Sequence, residues 1–178
     1  MAELGSSIIG VLSDTHDQVH HLVRVIDFFN RARVQMVIHC GDWVSPFTLV
    51  HYKKLQAPLY GVFGNNDGDR FRHVLYAQKL GLSITYEDQI LVVSRWGKNM
   101  VVYHGDYLEI VTALIKCRDY DAVLYGHTHV PKVERADGVL AVNPGTLIDV
   151  TTNEIQGASI AVYDVAAHEA RIIWLKDI

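Results

Sequence analysis

Cysteine is scarce in this chain: Cys40 and Cys117 are the only two among 178 residues. That is too few for a disulfide scaffold and is compatible with a reducing compartment. Both are expected to be small core residues rather than reactive thiols. Long apolar runs are lacking as well. No stretch approaches the ~20 residues that cross a bilayer, and Met1 to Ser7 is short and polar, so neither membrane insertion nor secretion is signalled. A cytoplasmic location with no membrane partner is expected by default. Nor does charge of one sign dominate, since 16 basic and 20 acidic residues give a formal charge of -4. Arg24, Arg31, Arg33 and the pair Lys53-Lys54 are scattered on helix-like segments, without the basic track interleaved with aromatics that nucleic acid requires, so no nucleic-acid partner is expected. What the chain does have is apolar residues, 49% of the total. They suffice for one domain spanning 1–178, with no linker, repeat or low-complexity segment inside it.

Those apolar residues are dealt out in a regular alternation. Ser7 to Ser13 reads as a buried strand, and Val19 to Ala32 places Leu22, Val23, Ile26 and Phe29 at helical spacing. Gln35 to His39 is predicted as strand, Ser45 to Leu55 as a helix with Pro46 in its first turn, Pro58 to Phe63 as strand, and Asp67 to Leu80 as a helix closed by Gly81. Such a βαβαβα half implies a parallel sheet, in which ligands bind beyond the carboxyl ends of the strands. The second half is richer in strands: Ile84 to Tyr86, Ile90 to Trp96, Met100 to Tyr103, Ala122 to Tyr125, Pro131 to Arg135, Val139 to Val142, Ala158 to Tyr163 and Ala170 to Trp174. Gly97-Lys98-Asn99 and Asp137-Gly138 read as hairpin turns, and Tyr107 to Cys117 as a helix. The fold class that follows is α/β, a four-layer α/β/β/α sandwich of two mixed sheets flanked by helices.

Polar clusters sit at the ends of these apolar runs: Asp14-Thr15-His16, Gly41-Asp42, Gly64-Asn65-Asn66-Asp67, His104-Gly105, Gly126-His127-Thr128-His129 and Asn143-Pro144-Gly145. Their carboxylates, imidazoles and amides suit hard or borderline divalent cations. Taken singly, Asp-x-His reads as a helix cap beside a surface histidine, and Asn65 and Asn143 read as turn residues. The pair His127 and His129 is more specific, because two histidines after a run as apolar as Ala122 to Tyr125 need partners, which a metal offers to both. Gly126 lets the backbone pass close to the ions. Asp14 and His16, two residues apart on an extended strand end, would point at one ion. A two-metal site needs a bridging ligand, and Asp42 is the candidate, since a carboxylate can offer one oxygen to each ion. The Asn143-Pro144-Gly145-Thr146 loop can face a phosphate with its amides and the Thr146 hydroxyl. Among the other histidines, His20, His21, His51 and His73 are expected at the surface or an interface, and His39 as a satisfied core histidine. Trp43 and Tyr107 flank proposed ligands, where packing and a pocket wall explain them equally.

The ordered set resembles the calcineurin-like metallophosphoesterase superfamily, whose motifs run D-x-H, G-D, G-N-[HCN]-[DE], H-G and G-H-x-H. The match extends from about Ile8 to Thr146, and the short length with Asn143-Pro144-Gly145 resembles its small archaeal and bacterial phosphodiesterase branch. The resemblance implies one ion on Asp14, His16, Asp42 and His129 and a second on Asp42, Asn65, His104 and His127, with manganese placed ahead of nickel, magnesium, iron and zinc. It implies hydrolysis of a small phosphate ester, a diester first, by a hydroxide bridging the ions. Asn66, Asp67 and His104 are then the catalytic candidates, and Asn65, Asn66, Asn143, Gly145 and Thr146 the substrate contacts. Many relatives carry histidine where this chain has Asn66, and that histidine is thought to protonate the leaving alkoxide. An amide cannot titrate, so esters with acidic leaving groups, such as aryl diesters, are expected to be favoured. The rival expectation is a catalytically weak metal-binding scaffold resembling the retromer subunit of the same fold. Exposed strands leave a homodimer open.

Overall fold

Strand β1 (Ile8–Leu12) is buried along nearly its whole length, which is why its sequence is a continuous apolar run rather than an alternation. The computed structural model describes residues 7–149, 151 and 157–178. β1 pairs in parallel with β2 (Met36–His39), β2 with β3 (Leu59–Val62), and β3 with β4 (Ile84–Glu87). On the other side of β1, the antiparallel strands β10 (Ser159–Asp164) and β11 (Glu169–Trp174) complete a six-stranded sheet ordered β11-β10-β1-β2-β3-β4. The second sheet has the order β5-β6-β7-β9-β8, built from β5 (Ile90–Arg95), β6 (Lys98–Tyr103), β7 (Ala122–Leu124), β8 (Lys132–Ala136) and β9 (Val139–Asn143). Its inner strands β6, β7 and β9 are parallel, and its edges β5 and β8 are antiparallel.

Three apolar clusters make the layers visible. One lies between the sheets, with Ile9, Val11, Ile38 and Val62 of the first facing Met100, Val102, Leu124 and Val142 of the second. Another joins the outer face of the first sheet to helix α1 (Val19–Arg31), the 3-10 helix Pro46–Lys54 and helix α2 (Arg70–Leu80). The third packs helix α3 (Leu108–Cys117) on the second sheet through Val111 and Ile115. The result is the expected four-layer arrangement of two mixed sheets flanked by helices.

Several local expectations are corrected. The segment opened by Pro46 is a 3-10 helix, capped by the Ser45 side chain. Helix α2 starts at Arg70 with Asp69 as its cap, because Asp67 turns inward instead. The hairpin turn between β5 and β6 is Trp96-Gly97, flanked by the pair Arg95 and Lys98, and both turn residues have positive φ, 49° and 75°, as a two-residue turn matched to strand twist requires. His73 is fully buried and Cys117 is exposed, the reverse of what was expected of each. Among the described residues, no helix is long and apolar enough to cross a membrane.

Candidate metal centre

The parallel strands of both sheets end on the same side, and each proposed ligand follows one of them. Asp14 and His16 come after β1, Asp42 after β2, Asn65 after β3, His104 after β6, and His127 and His129 after β7. The chain turns sharply at these points: Asp14, His16, Asp42, His127 and His129 all have left-handed backbones, with φ of 51°, 39°, 59°, 66° and 61°. Residues with a Cβ rarely adopt that conformation, and it is typically held in place where function requires it. Asp14 and His16 therefore converge through a left-handed kink and not through the pleat of an extended strand end. Gly41, at φ +103°, approaches so closely that a Cβ there would lie 2.6 Å from His104 Nδ1.

Two groups of side chains result. Asp14 Oδ1 lies 3.2 Å from His129 Nε2 and 3.7 Å from His16 Nε2, and those two nitrogens are 3.2 Å apart. Asp42 faces both groups: its Oδ2 is 3.4 Å from His16 Nε2 and its Oδ1 3.5 Å from His104 Nε2. Asn65 Oδ1 sits 3.0 Å from both His104 Nε2 and His127 Nδ1. Asp14, His16 and His129 form one cluster able to hold a cation, and Asp14, Asp42 and His104 a second. Carboxylate Asp14 is thus common to both clusters, while Asp42 spans them with a different oxygen on each side. All seven residues named as ligands from sequence meet here.

The donor set fits cations on chemical grounds. His104 Nδ1 lies 2.8 Å from the Cys40 carbonyl, an acceptor only, so Nδ1 donates there and Nε2 is the nitrogen turned to the oxygens of Asn65 and Asp42, to which the neutral ring presents a lone pair. Lone pairs aimed at lone pairs call for a positive charge between them. Asp14 Oδ1 repeats the signal, since it is buried and faces the ring nitrogens of His129 and His16 at 3.2 and 3.7 Å with no backbone N–H among its partners. Burial opposes ionisation of Asp14, yet hydrogen bonds from His129 and His16 outweigh it and hold the carboxyl well below the usual range. The hydrogen bond to Asp14 raises the His16 pKa, with burial opposing.

A frame behind the ligands keeps them in place. The Asp67 carboxylate accepts the backbone N–H groups of Asp42, Gly64 and Val44 at 2.9, 2.7 and 2.7 Å. Burial pushes its pKa up, with the Gly64 and Val44 amides opposing. His39 is the satisfied core histidine expected: its Nδ1 accepts the Gly41 N–H at 3.1 Å and its Nε2 meets Thr15 Oγ1 at 3.2 Å. Thr15 in turn donates to the Asp42 carbonyl. Trp43 stacks on the His39 ring at 3.6 Å and is buried, whereas Tyr107 is exposed at the rim. Asn143 donates to the Gly126 carbonyl and Thr128 Oγ1, and Thr146 donates to the Asp14 carbonyl. The Gly145 amide donates to Asn143 Oδ1, so this loop is tied into the frame. Asn66 donates twice to the spanning carboxylate, from its backbone N to Asp42 Oδ1 at 2.8 Å and from Nδ2 to Oδ2 at 2.7 Å. The parts played by Thr15, although it lies within the Asp14-Thr15-His16 cluster, and by Arg70 were not anticipated from sequence. Arg70 donates to the carbonyls of Gly64 and Asp67, and its only sequence signal is its place three residues after Asp67.

The sequence pattern of the calcineurin-like phosphoesterase superfamily domain matches residues 8–168. The chain belongs to that superfamily. This calcineurin-like phosphoesterase is 34% identical over 168 residues to Phosphodiesterase MJ0936 of Methanocaldococcus jannaschii, covering 94% of this chain and 99% of the relative. It is 31% identical over 147 residues to the probable metallophosphoesterase MJ0623 of the same organism, covering 80% of this chain and 69% of the relative. A solved archaeal phosphodiesterase superposes with a TM-score of 0.85 at 33% identity, over 93% of this chain and 98% of that one. Vps29 from Entamoeba histolytica shares the fold alone, with a TM-score of 0.61 at 17% identity over 93% of this chain and 98% of that one.

Proposed function

We propose that this superfamily member is a dinuclear metal-dependent phosphodiesterase acting on small phosphate esters. The observation that carries the proposal is the spanning carboxylate, Asp42, with His16 on one of its oxygens and His104 on the other. Asp14, His16, Asp42 and His129 would hold one ion, and Asp42, Asn65, His104 and His127 the other. Two divalent cations in such a site supply Lewis acidity and lower the pKa of water enough to yield a nucleophile at neutral pH. The chain's own residues do the rest: the Asp67 carboxylate and the His39–Thr15 pair fix the loops, and Asn66 orients Asp42. No group at position 66 can give a proton to the departing oxygen, so the ester's own acidity sets the rate. Manganese is the working metal in this proposal. The two free thiols suit a reducing compartment, and we place the protein in the cytoplasm.

The test is metal analysis of protein reconstituted with Mn, paired with hydrolysis of bis(p-nitrophenyl) phosphate with and without the metal. Two equivalents of Mn per chain and Mn-dependent release of nitrophenolate are expected. In Asp42→Asn, one oxygen becomes an NH2 group that cannot ligate, so the second equivalent and turnover should both be lost. Metal-loaded protein that hydrolyses no ester would overturn the enzyme and favour a scaffold.

A further inference from the structure

Beside Asn65 a cavity of about 130 Å³ opens between the first turns of α2 and α3. Its walls mix the apolar Phe63, Ile90, Tyr107 and Ile110 with polar groups, Asp106 and Gln89 besides Asn65 and Arg70. Three of these are large apolar side chains left in solvent, Tyr107 at 62% exposure, Ile90 at 46% and Ile110 at 39%. Scattered exposed apolar residues mean little, but three around one concavity mark a place that binds something apolar. Arg70 forms a rigid wall, its guanidinium carbon 5.6 Å from the centre of the Phe63 ring and its nitrogens donating to the Gly64 and Asp67 carbonyls. Asp88 pairs with the same guanidinium, so the wall presents a flat face more than a free charge. The inner end is polar, because Asn65 Oδ1 also touches His104 and His127. The shape is therefore a slot with apolar groups from Phe63, Ile90, Tyr107 and Ile110 on its walls, the Asp106 carboxylate and Gln89 among them, and Asn65 shared with the metal centre. An engineered apolar cavity of roughly 150 Å³ accepts a benzene ring, so the slot has room for about one ring.

We propose that this slot receives one planar aromatic ring esterified to the phosphate at the metal centre, which makes aryl phosphate esters the substrate class. The proposal rests on the phosphodiesterase reading above. Asn66 points the same way by an independent route: a phenolate departs without a proton donor, whereas an alkoxide does not. Hydrolysis forms a P–O bond to water and breaks the P–O bond to the arene. The electron pair leaves with the phenolate, and the protons of water go to solvent.

The experiment compares dissociation constants of phenylphosphonate and methylphosphonate for the Mn-loaded protein by calorimetry. Partial burial of the ring should favour the phenyl compound by about tenfold. Ile110→Asp and Ile90→Asp each place a charge in the slot from a surface position, and each should reduce the phenyl-to-methyl ratio to about twofold or less. A ratio near one in the unaltered protein, or a ratio unchanged in both variants, overturns the slot. Hydrolysis of bis(p-nitrophenyl) phosphate by the same preparations separates the two failures. Turnover without a phenyl preference sinks the slot alone, and no turnover of any ester sinks the phosphodiesterase and the slot with it.

Discussion

Asp67 Oδ2 accepts the backbone N–H of Asp42 at 2.9 Å, and through that bond a side chain engaged by three backbone amides governs where the spanning carboxylate sits. Asparagine at 67 keeps one acceptor oxygen but turns an NH2 group toward an amide donor. Asp67→Asn should cost about 2 kcal/mol of stability, the scale of losing hydrogen bonds to a charged group. It should also weaken metal binding, because the Asp42 and Gly64 loops lose a common anchor. Thermal melts and Mn titrations check this; a variant with native melting and two tightly held equivalents would reduce Asp67 to a bystander.

Asn66 supplies the second testable position. Its side chain bonds Asp42 Oδ2 at 2.7 Å, so it can orient the bridge but cannot titrate. Asn66→His installs an acid near the departing oxygen at the cost of that bond. Turnover of diesters with poor, alkoxide leaving groups should rise by about 10 to 10², while nitrophenyl esters change little. Steady-state rates across a leaving-group series measure it as a shallower dependence on leaving-group pKa. An unchanged slope would remove position 66 from the proton path.

The main features of the site were legible because apolar strands end in polar clusters, and the order of those ends along the chain carries over to one edge of a two-sheet fold. What the sequence hid was geometry. The left-handed backbones of Asp14 and His129 carry only a weak signal in the sequence, since aspartate and histidine adopt that conformation more often than most residues with a Cβ but far less than glycine. Helix α2 misled for a different reason: its buried positions are His73 and Ala77, while Phe71 and Leu75 lie exposed at 76% and 47%. Apolar spacing there points to the wrong face. The true face is the one whose imidazole packs against Trp43, Phe63 and Tyr86. Cys117 lies two residues past Ile115, off the Val111–Ile115 stripe that buries α3.

Burial lowers the pKa of His39 far below its ordinary value of 6.5, and also that of His73. Burial disfavours the charged form of both in the fold. A base with a depressed folded pKa contributes stability that is present above 6.5 and declines as pH falls from there toward the folded value, because the unfolded chain takes up the proton first. His16 has the opposite sign, its raised pKa giving stability present below 6.5 and lost as pH rises through the folded value; it is a single, half-buried group against two. Metal-free protein should therefore melt lower at pH 5.5 than at pH 7.5. In His73→Phe the slope should be shallower by up to about 1.4 kcal/mol per pH unit. Equal slopes in the two proteins would show that His73 takes up its proton at the same pH folded and unfolded, so that burial does not hold it neutral.

Gly126, just after β7 of the second sheet, packs against Asp14 of the first metal cluster. A Cβ built there would lie 1.9 Å from Ser13 Oγ and 2.6 Å from Asp14 Oδ2. Neither can retreat cheaply, because Asp14 Oδ2 accepts the His127 N–H at 2.9 Å and Ser13 is fully buried. Gly126→Ala should therefore cost about 1 to 3 kcal/mol, as overpacking does. The loss of metal affinity should exceed what the stability loss alone explains, since the displaced atom belongs to a carboxylate common to both clusters. The double variant with Ser13→Gly removes the shorter contact and leaves the one to Asp14. It should recover melting temperature while Mn binding stays weak. Recovery of both together would mean that the carboxylate gives way freely and that the close packing at Gly126 serves stability rather than the metal centre.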